Sequence, residues 1–148
     1  MDNQEKTALI NEIMQTAPDA ILYADADGLI RLWNQGAERL FGFTEVEALG
    51  QSLDLIIPEN LRQRHWDGYY KVMKTGQSHY QTDLLSAPAT TREGKRLSTE
   101  FSMVLLKDEQ GQPKGVAAIM RDVSERWQRE KELKQKIATL QEAASLKG

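Results

Sequence analysis

The chain has 148 residues, 40% of them hydrophobic, enough for one domain with a single core and too few for a second, separately folded catalytic or DNA-binding domain. Its 19 basic and 22 acidic residues give a net charge of −3 with no Lys/Arg cluster among aromatics, so no nucleic-acid partner is expected, and the lack of cysteine excludes disulfides and thiolate metal sites. No apolar run approaches the roughly 18 residues of a membrane span, and Met1-Asp-Asn-Gln-Glu lacks the regions of a signal peptide, so a soluble, cytoplasmic protein without membrane contact is expected.

In chain order, Leu9, Ile10, Ile13 and Met14 form a stripe on an N-terminal helix that stops before Pro18, because the residue ahead of a proline avoids helical angles. Asp27-Gly28 between the apolar runs Ala20 to Tyr23 and Leu29 to Trp33 predicts a hairpin with a two-residue turn. Asn34 can cap a helix running to Phe41 and ended by Gly42, and Thr44 with Glu47 makes a capping box for the next. A longer helix from about Asn60 to Lys74 ends at Thr75-Gly76. Three strands follow: Tyr80 to Ala87, Lys95 to Leu106, and Gly115 to Arg121, with a turn at Asp108 to Pro113 between the last two. Leu97, Thr99, Phe101, Met103 and Leu105 share one face of the middle strand. The expected class is α+β, a five-stranded antiparallel sheet covered on one face by short helices.

From Ser124 the composition turns to Glu, Lys, Gln and Leu, and Leu133, Ile137, Leu140 and Ala144 recur at heptad spacing. Such a helix either folds back on its own domain or, as the narrow seam favours, pairs with a second copy in a coiled coil. Fewer than three heptads make a weak dimer, to which the N-terminal stripe can add. The chain therefore divides into an N-terminal helix (1–17), a central domain (18–123) and a C-terminal helix (124–148).

Enzyme signatures are lacking. There is no Gly-rich phosphate loop, no Gly-x-Ser-x-Gly elbow, no His-Glu-x-x-His and no cysteine nucleophile, and Asp25 and Asp27 are turn residues, so no enzyme is expected. The chemically interesting stretch is the long helix, where Leu61, His65, Tyr69 and Val72 fall on one apolar stripe. An inward histidine either makes a hydrogen bond in the core, turns its tip outward, or ligates a metal. Trp33 reads as core, and Trp66 either covers a pocket or sits at a dimer contact.

The segment Asn34, Ala37, Leu40, Phe41, Gly42 and Phe43 resembles the "N-x-x-A-x-x-L-F-G-[FY]" motif of the PAS domain family. Leu55 to Pro58 is similar to the family's step before its long helix, and Asp122-Val-Ser124 to its closing Asp-x-[Thr/Ser]. The likeness covers about residues 10–126. It implies the PAS fold and a sensory, signal-transducing module, with Asp122 and Ser124 as the relay to the C-terminal helix. Pro58, Glu59, Arg62, Arg64 and His65 further resemble the haem-binding helix of PAS oxygen-sensor kinases, which implies haem on His65 with Tyr69 beside it. By the same resemblance His79 falls near the haem propionates, and Phe101 and Met103 on the distal wall. Where those sensors carry a distal arginine, this chain has Leu84 or Leu85, so gas sensing by carbon monoxide or nitric oxide, or a redox change with Met103 as sixth ligand, is implied in place of oxygen binding. Met103 reads more readily as a gap-filling core residue. The family's tyrosine comes one residue late here, at Tyr69, which leaves a one-residue shift of the helix open. The alternatives are a dimerisation module with no cofactor or a small metabolite, and a non-covalent flavin such as FAD. Lack of cysteine excludes the cysteinyl-flavin chemistry of the family's blue-light branch. The implied partners are a second copy and a downstream signalling protein or effector domain.

Overall fold

The computed structural model describes residues 1–77 and 84–147. Helix α1 (Asn3–Thr16) leads into strands β1 (Ala20–Asp25) and β2 (Ile30–Trp33), then short helices α2 (Gln35–Phe41) and α3 (Glu45–Ala48). Two single 3₁₀ turns precede α4 (Arg62–Thr75), and β3 (Leu85–Thr90), β4 (Arg96–Lys107), β5 (Pro113–Asp122) and α5 (Ser124–Lys147) complete the order. The five strands form one antiparallel sheet ordered β2-β1-β5-β4-β3, so the first and last strands of the domain meet at its centre.

One turn chemistry closes all three hairpins. In Asp25-Ala-Asp-Gly28 the Gly28 N–H donates to the Asp25 carbonyl at 2.9 Å, and the Asp25 Oδ1 accepts the N–H groups of Asp27 and Leu29. Only Gly28 takes a left-handed angle, with φ of 79°. The loop is thus a three-residue turn with a glycine bulge, and not the two-residue turn expected, because Asp27 keeps negative φ. Asp108 to Gly111 repeats the same bonds, and Thr91 to Gly94 repeats all but the one from its third residue, each with a side-chain oxygen at the first position and glycine at the fourth.

The expected caps form. The Asn34 side chain accepts the Ala37 N–H, Gly42 ends α2, and Thr44 and Glu47 make the reciprocal capping box of α3. Strand β3 begins later than the expected Tyr80 and runs through Pro88, and residues 80–83 lie outside those described. Proline is tolerated because β3 is an edge strand paired only with β4, so its missing N–H costs no ladder bond.

Trp33 and Phe41 are buried, with ring centroids 5.5 Å apart, and the Trp33 indole donates to the Phe43 carbonyl at 2.9 Å. The core lies on the sheet face covered by α2, α3 and α4, while Leu32, Val104 and Ile119 on the opposite face are exposed. Helix α5 does not fold back: residues 125–146 are all exposed. Helix α1 likewise buries nothing, leaving Leu9, Ile10 and Ile13 in solvent. Among the described residues no helix is long and apolar enough to cross a membrane.

Candidate functional site

Helix α4 is pinned at its edges and held off the sheet at its centre. On one side the Tyr69 hydroxyl donates to the Asp25 carbonyl at 2.6 Å, with the Ala24 carbonyl at 3.2 Å. On the other the Trp66 indole donates to Asp54 Oδ1 at 2.7 Å, and Arg62 Nε donates to the Ile57 carbonyl at 3.1 Å. The Trp66 ring lies where a Cβ on Gly28 would fall, so a glycine is required in that turn for packing as well as for its angle. Below α4 the sheet offers apolar side chains, alanines among them. Leu22, Ala118 and Met103 stand side by side across β1, β5 and β4, and Ala87 and Ala89 face inward from β3. Large residues on the helix facing alanines on the sheet leave a cavity of about 450 Å³. That size lies within the roughly 300–1,000 Å³ of small-molecule sites.

The helix face toward the cavity carries Leu61, His65, Gly68, Tyr69 and Val72. The stripe expected from the sequence is therefore in place, and no one-residue shift turns His65 away. Its imidazole packs edge-on against Trp66 and tilted against Tyr69, with centroids 4.7 and 5.7 Å away. His65 Nδ1 is buried without a hydrogen-bond partner among the described residues. Burial holds the imidazole below its ordinary pKa, against a weaker opposing pull from the Asp54 carboxylate, so the ring is neutral near pH 7 and keeps a free lone pair. Burial likewise pushes the Tyr69 hydroxyl far above its ordinary value, helped by Asp25. Tyr69 stays a neutral donor.

Phe101 and Met103 line the opposite wall, on β4, as the sequence reading placed them. Leu84 and Leu85 do not line it. Leu84 is 65% exposed. Leu85 pairs with Phe101 on the edge strand but stands beyond the cavity's margin. Leu84 precedes β3, and Leu85 opens it at the sheet edge, one step beyond Ala87 on the cavity side. His79 lies outside the described residues. Trp66 does not line the cavity either; it stacks on Tyr70 with centroids 5.5 Å apart and covers the β1–β2 turn. Asp122 and Ser124 sit at the far end of β5. There the Ser124 N–H donates to Asp122 Oδ1 at 2.8 Å, and Ser124 Oγ accepts the Ser98 N–H at 2.9 Å. Arg126, one turn on, pairs with Glu100 of β4.

Sequence reasoning missed Asn34 as more than a cap. Its side chain is fully buried and makes four hydrogen bonds, accepting from Ile21 and Ala37 and donating to the Met14 and Asp19 carbonyls. One residue thereby ties the end of α1 to β1 and α2. The bond accepted from Ile21 and the two donated to Met14 and Asp19 reach distant backbone and leave no local sequence signal.

The lining decides what the cavity can hold. Among the described residues there is no group of three or more His, Cys, Asp or Glu to cage a bare metal ion. A metal carried by its own macrocycle needs only one protein nitrogen and dry walls, and His65 with its apolar surroundings fits that demand. The described lining offers a flavin little: its ring carries carbonyl and N–H groups, and no Asn, Gln, Ser or Thr is among the described lining residues to meet them.

A family model described as PAS fold matches residues 15–128. The sensor protein FixL of Bradyrhizobium diazoefficiens is 42% identical over 66 residues, which are 45% of this chain and 13% of that protein. An uncharacterized protein of Azorhizobium caulinodans is 29% identical over 115 residues, 77% of this chain and 15% of that one. The chain thus spans only 13 to 15% of the length of these relatives. The crystal structure of a PAS domain from Colwellia psychrerythraea matches with a TM-score of 0.70 at 21% identity, over 84% of this chain and 99% of that one. With the motif, the sheet order and the family match in agreement, the chain belongs to the PAS fold family.

Proposed function

We propose that this PAS module is a cytoplasmic, homodimeric sensor domain that takes haem into the cavity beneath α4 through His65 and passes its state to a downstream signalling partner. The carrying observation is the buried Nδ1, without a partner among the described residues, of a neutral imidazole on the wall of a cavity lined mainly by aliphatic and aromatic side chains. Haem bound there supplies an iron that takes a diatomic gas or changes redox state. His65 contributes the nitrogen ligand, and Tyr69, bonded to the β1–β2 turn, holds the helix that presents it. Phe101, Met103 and Leu105 exclude water from the facing wall. No cationic side chain stands on β4 or β5 within the cavity lining, which supports gas or redox sensing without a charged donor to bound oxygen. Movement of the sheet reaches α5 through Met120, which lines the cavity two residues before Asp122, and through the bonds of Asp122 and Ser124.

The test is absorption spectroscopy of the purified protein before and after hemin is added, with His65→Ala as control. A Soret band in the wild type that the variant loses is the expected result; a wild type that leaves hemin unbound sinks the haem reading. The aliphatic lining supports a second reading, in which the cavity takes an apolar metabolite without metal. A protein that rejects hemin and is stabilised against heat by such a molecule would establish it.

A further inference from the structure

We propose that the cavity opens to solvent through the wall of α4 at Gly68, and that Arg64 on the rim of this opening pairs with a carboxylate carried by the ligand. The inference rests on the reading of the cavity as a ligand site and adds its entrance and the chemical class of what enters. Of the described residues that line the cavity, only Arg64 and Gly68 are exposed. They stand four apart, so they are neighbours on one helix face. Among the described lining residues the full exposure is therefore concentrated at one place, beside these two residues.

Glycine is a poor residue there. Gly68 sits in the middle of α4, where glycine is disfavoured relative to alanine because its backbone loses more freedom on folding. The usual reasons for such a glycine fail. Its φ is not positive, and a Cβ built on it meets nothing within 4 Å. Gly36 and Gly115, the other described glycines without positive φ, are both pressed against backbone. What Gly68 alone does is keep space empty at the point where the cavity meets water.

Arg64 supplies the chemistry of the rim. It makes no ion pair with the described residues, whereas Arg62 at the start of the same helix is turned onto the Ile57 carbonyl and Asp54. A guanidinium at the mouth of an apolar cavity matches a molecule with an apolar body and a carboxylate at one end, since its fork of donors bonds both carboxylate oxygens. A haem propionate and a long-chain fatty acid share that chemistry.

Two matched pairs of probes separate them: hemin with hemin dimethyl ester, and dodecanoate with dodecanol. Each is titrated into the wild type, Arg64→Gln and Gly68→Leu, and uptake rates are taken by stopped flow. Arg64→Gln should weaken the carboxylate member of the bound pair about three- to fivefold, the size of an exposed ion pair, and leave the uncharged member unchanged. Gly68→Leu should slow uptake severalfold in a protein that folds at least as well, because leucine is the stronger helix former. The proposal is overturned if Arg64→Gln affects both members alike or neither, if Gly68→Leu takes up the probe at the wild-type rate, or if no probe binds. Hemin rejected while dodecanoate binds with an Arg64 dependence removes the haem reading and keeps this one. Hemin held by His65, with no difference between acid and ester, does the reverse.

Discussion

Two side chains, Asn34 and His65, carry unusual responsibility. Asn34 satisfies all four of its side-chain hydrogen-bonding positions with groups from α1, β1, α2 and the intervening linker, and it does so fully buried. Asn34→Ala strands the Ile21 and Ala37 N–H groups without an acceptor, and each buried orphan costs about 1–3 kcal/mol. A loss of about 3 kcal/mol in urea unfolding is expected; a loss below about 1 kcal/mol would mean that water or local rearrangement replaces the bonds. His65 is the opposite case, a buried polar atom left unsatisfied. Its pKa lies below the ordinary value of about 6.5 because burial disfavours the charged ring, only partly offset by Asp54. Folding therefore favours the neutral ring. The stability this represents is fully present above the ordinary value and is lost as pH falls through it toward the folded value. Thermal scans of the protein without ligand should show the wild type losing stability between about pH 7 and pH 5 more steeply than His65→Gln. Parallel curves would place the acid sensitivity on another group.

At the scale of elements, the cavity exists because alanines on β3 and β5 lie under one helix, and its floor can be raised. Ala118 lies between Leu22 and Met103 in the sheet, below α4. Ala118→Leu fills volume that is otherwise apolar and empty of side chain, so the protein without ligand should gain about 0.5–2 kcal/mol, as cavity-filling changes do. It should also lose hemin uptake. A destabilised variant would show that the floor cannot take the added carbons, and a variant that still binds hemin would show that the ligand lies elsewhere. This dependence on pairing across the sheet explains what the sequence did and did not reveal. The α4 stripe of Leu61, His65, Tyr69 and Val72 was legible because helical spacing is local, and so were the caps at Asn34, Thr44 and Gly42. The cavity was not, because Leu22, Met103 and Ala118 come together only through strand register. The span of β3 was misplaced since Pro88 reads as a breaker until β3 is known to be an edge. The shared turn of the three hairpins was written as Asp25 to Gly28, Thr91 to Gly94 and Asp108 to Gly111, yet its length depends on which residue takes positive φ.

For the whole molecule the question is what covers α1 and α5, both of which leave apolar side chains in water. On α5, Leu133, Ile137 and Leu140 are exposed at seam positions along 24 residues. Each recovers about 2 kcal/mol when buried, so six from two copies return on the order of 10 kcal/mol. Association costs about 4–15 kcal/mol, which leaves α5 alone marginal. Leu9, Ile10 and Ile13 on α1 are also exposed, and adding them tips the balance toward a dimer. Sedimentation should find a concentration-dependent dimer that Ile137→Glu converts to monomer without loss of hemin uptake. If a dimer forms, α5 is joined to the sheet by the Ser124 Oγ bond to Ser98, the Val123 N–H to the Ser98 carbonyl and the Arg126–Glu100 pair, and these set where the two helices start. Ser124→Ala removes the first of them and leaves the cavity untouched. The expected outcome is unchanged hemin binding with the loss of any ligand-dependent change in distance between spin labels placed at position 140 of the two copies. A distance change of wild-type size in Ser124→Ala would send the signal by another route, through Asn34 and the end of α1 that it holds.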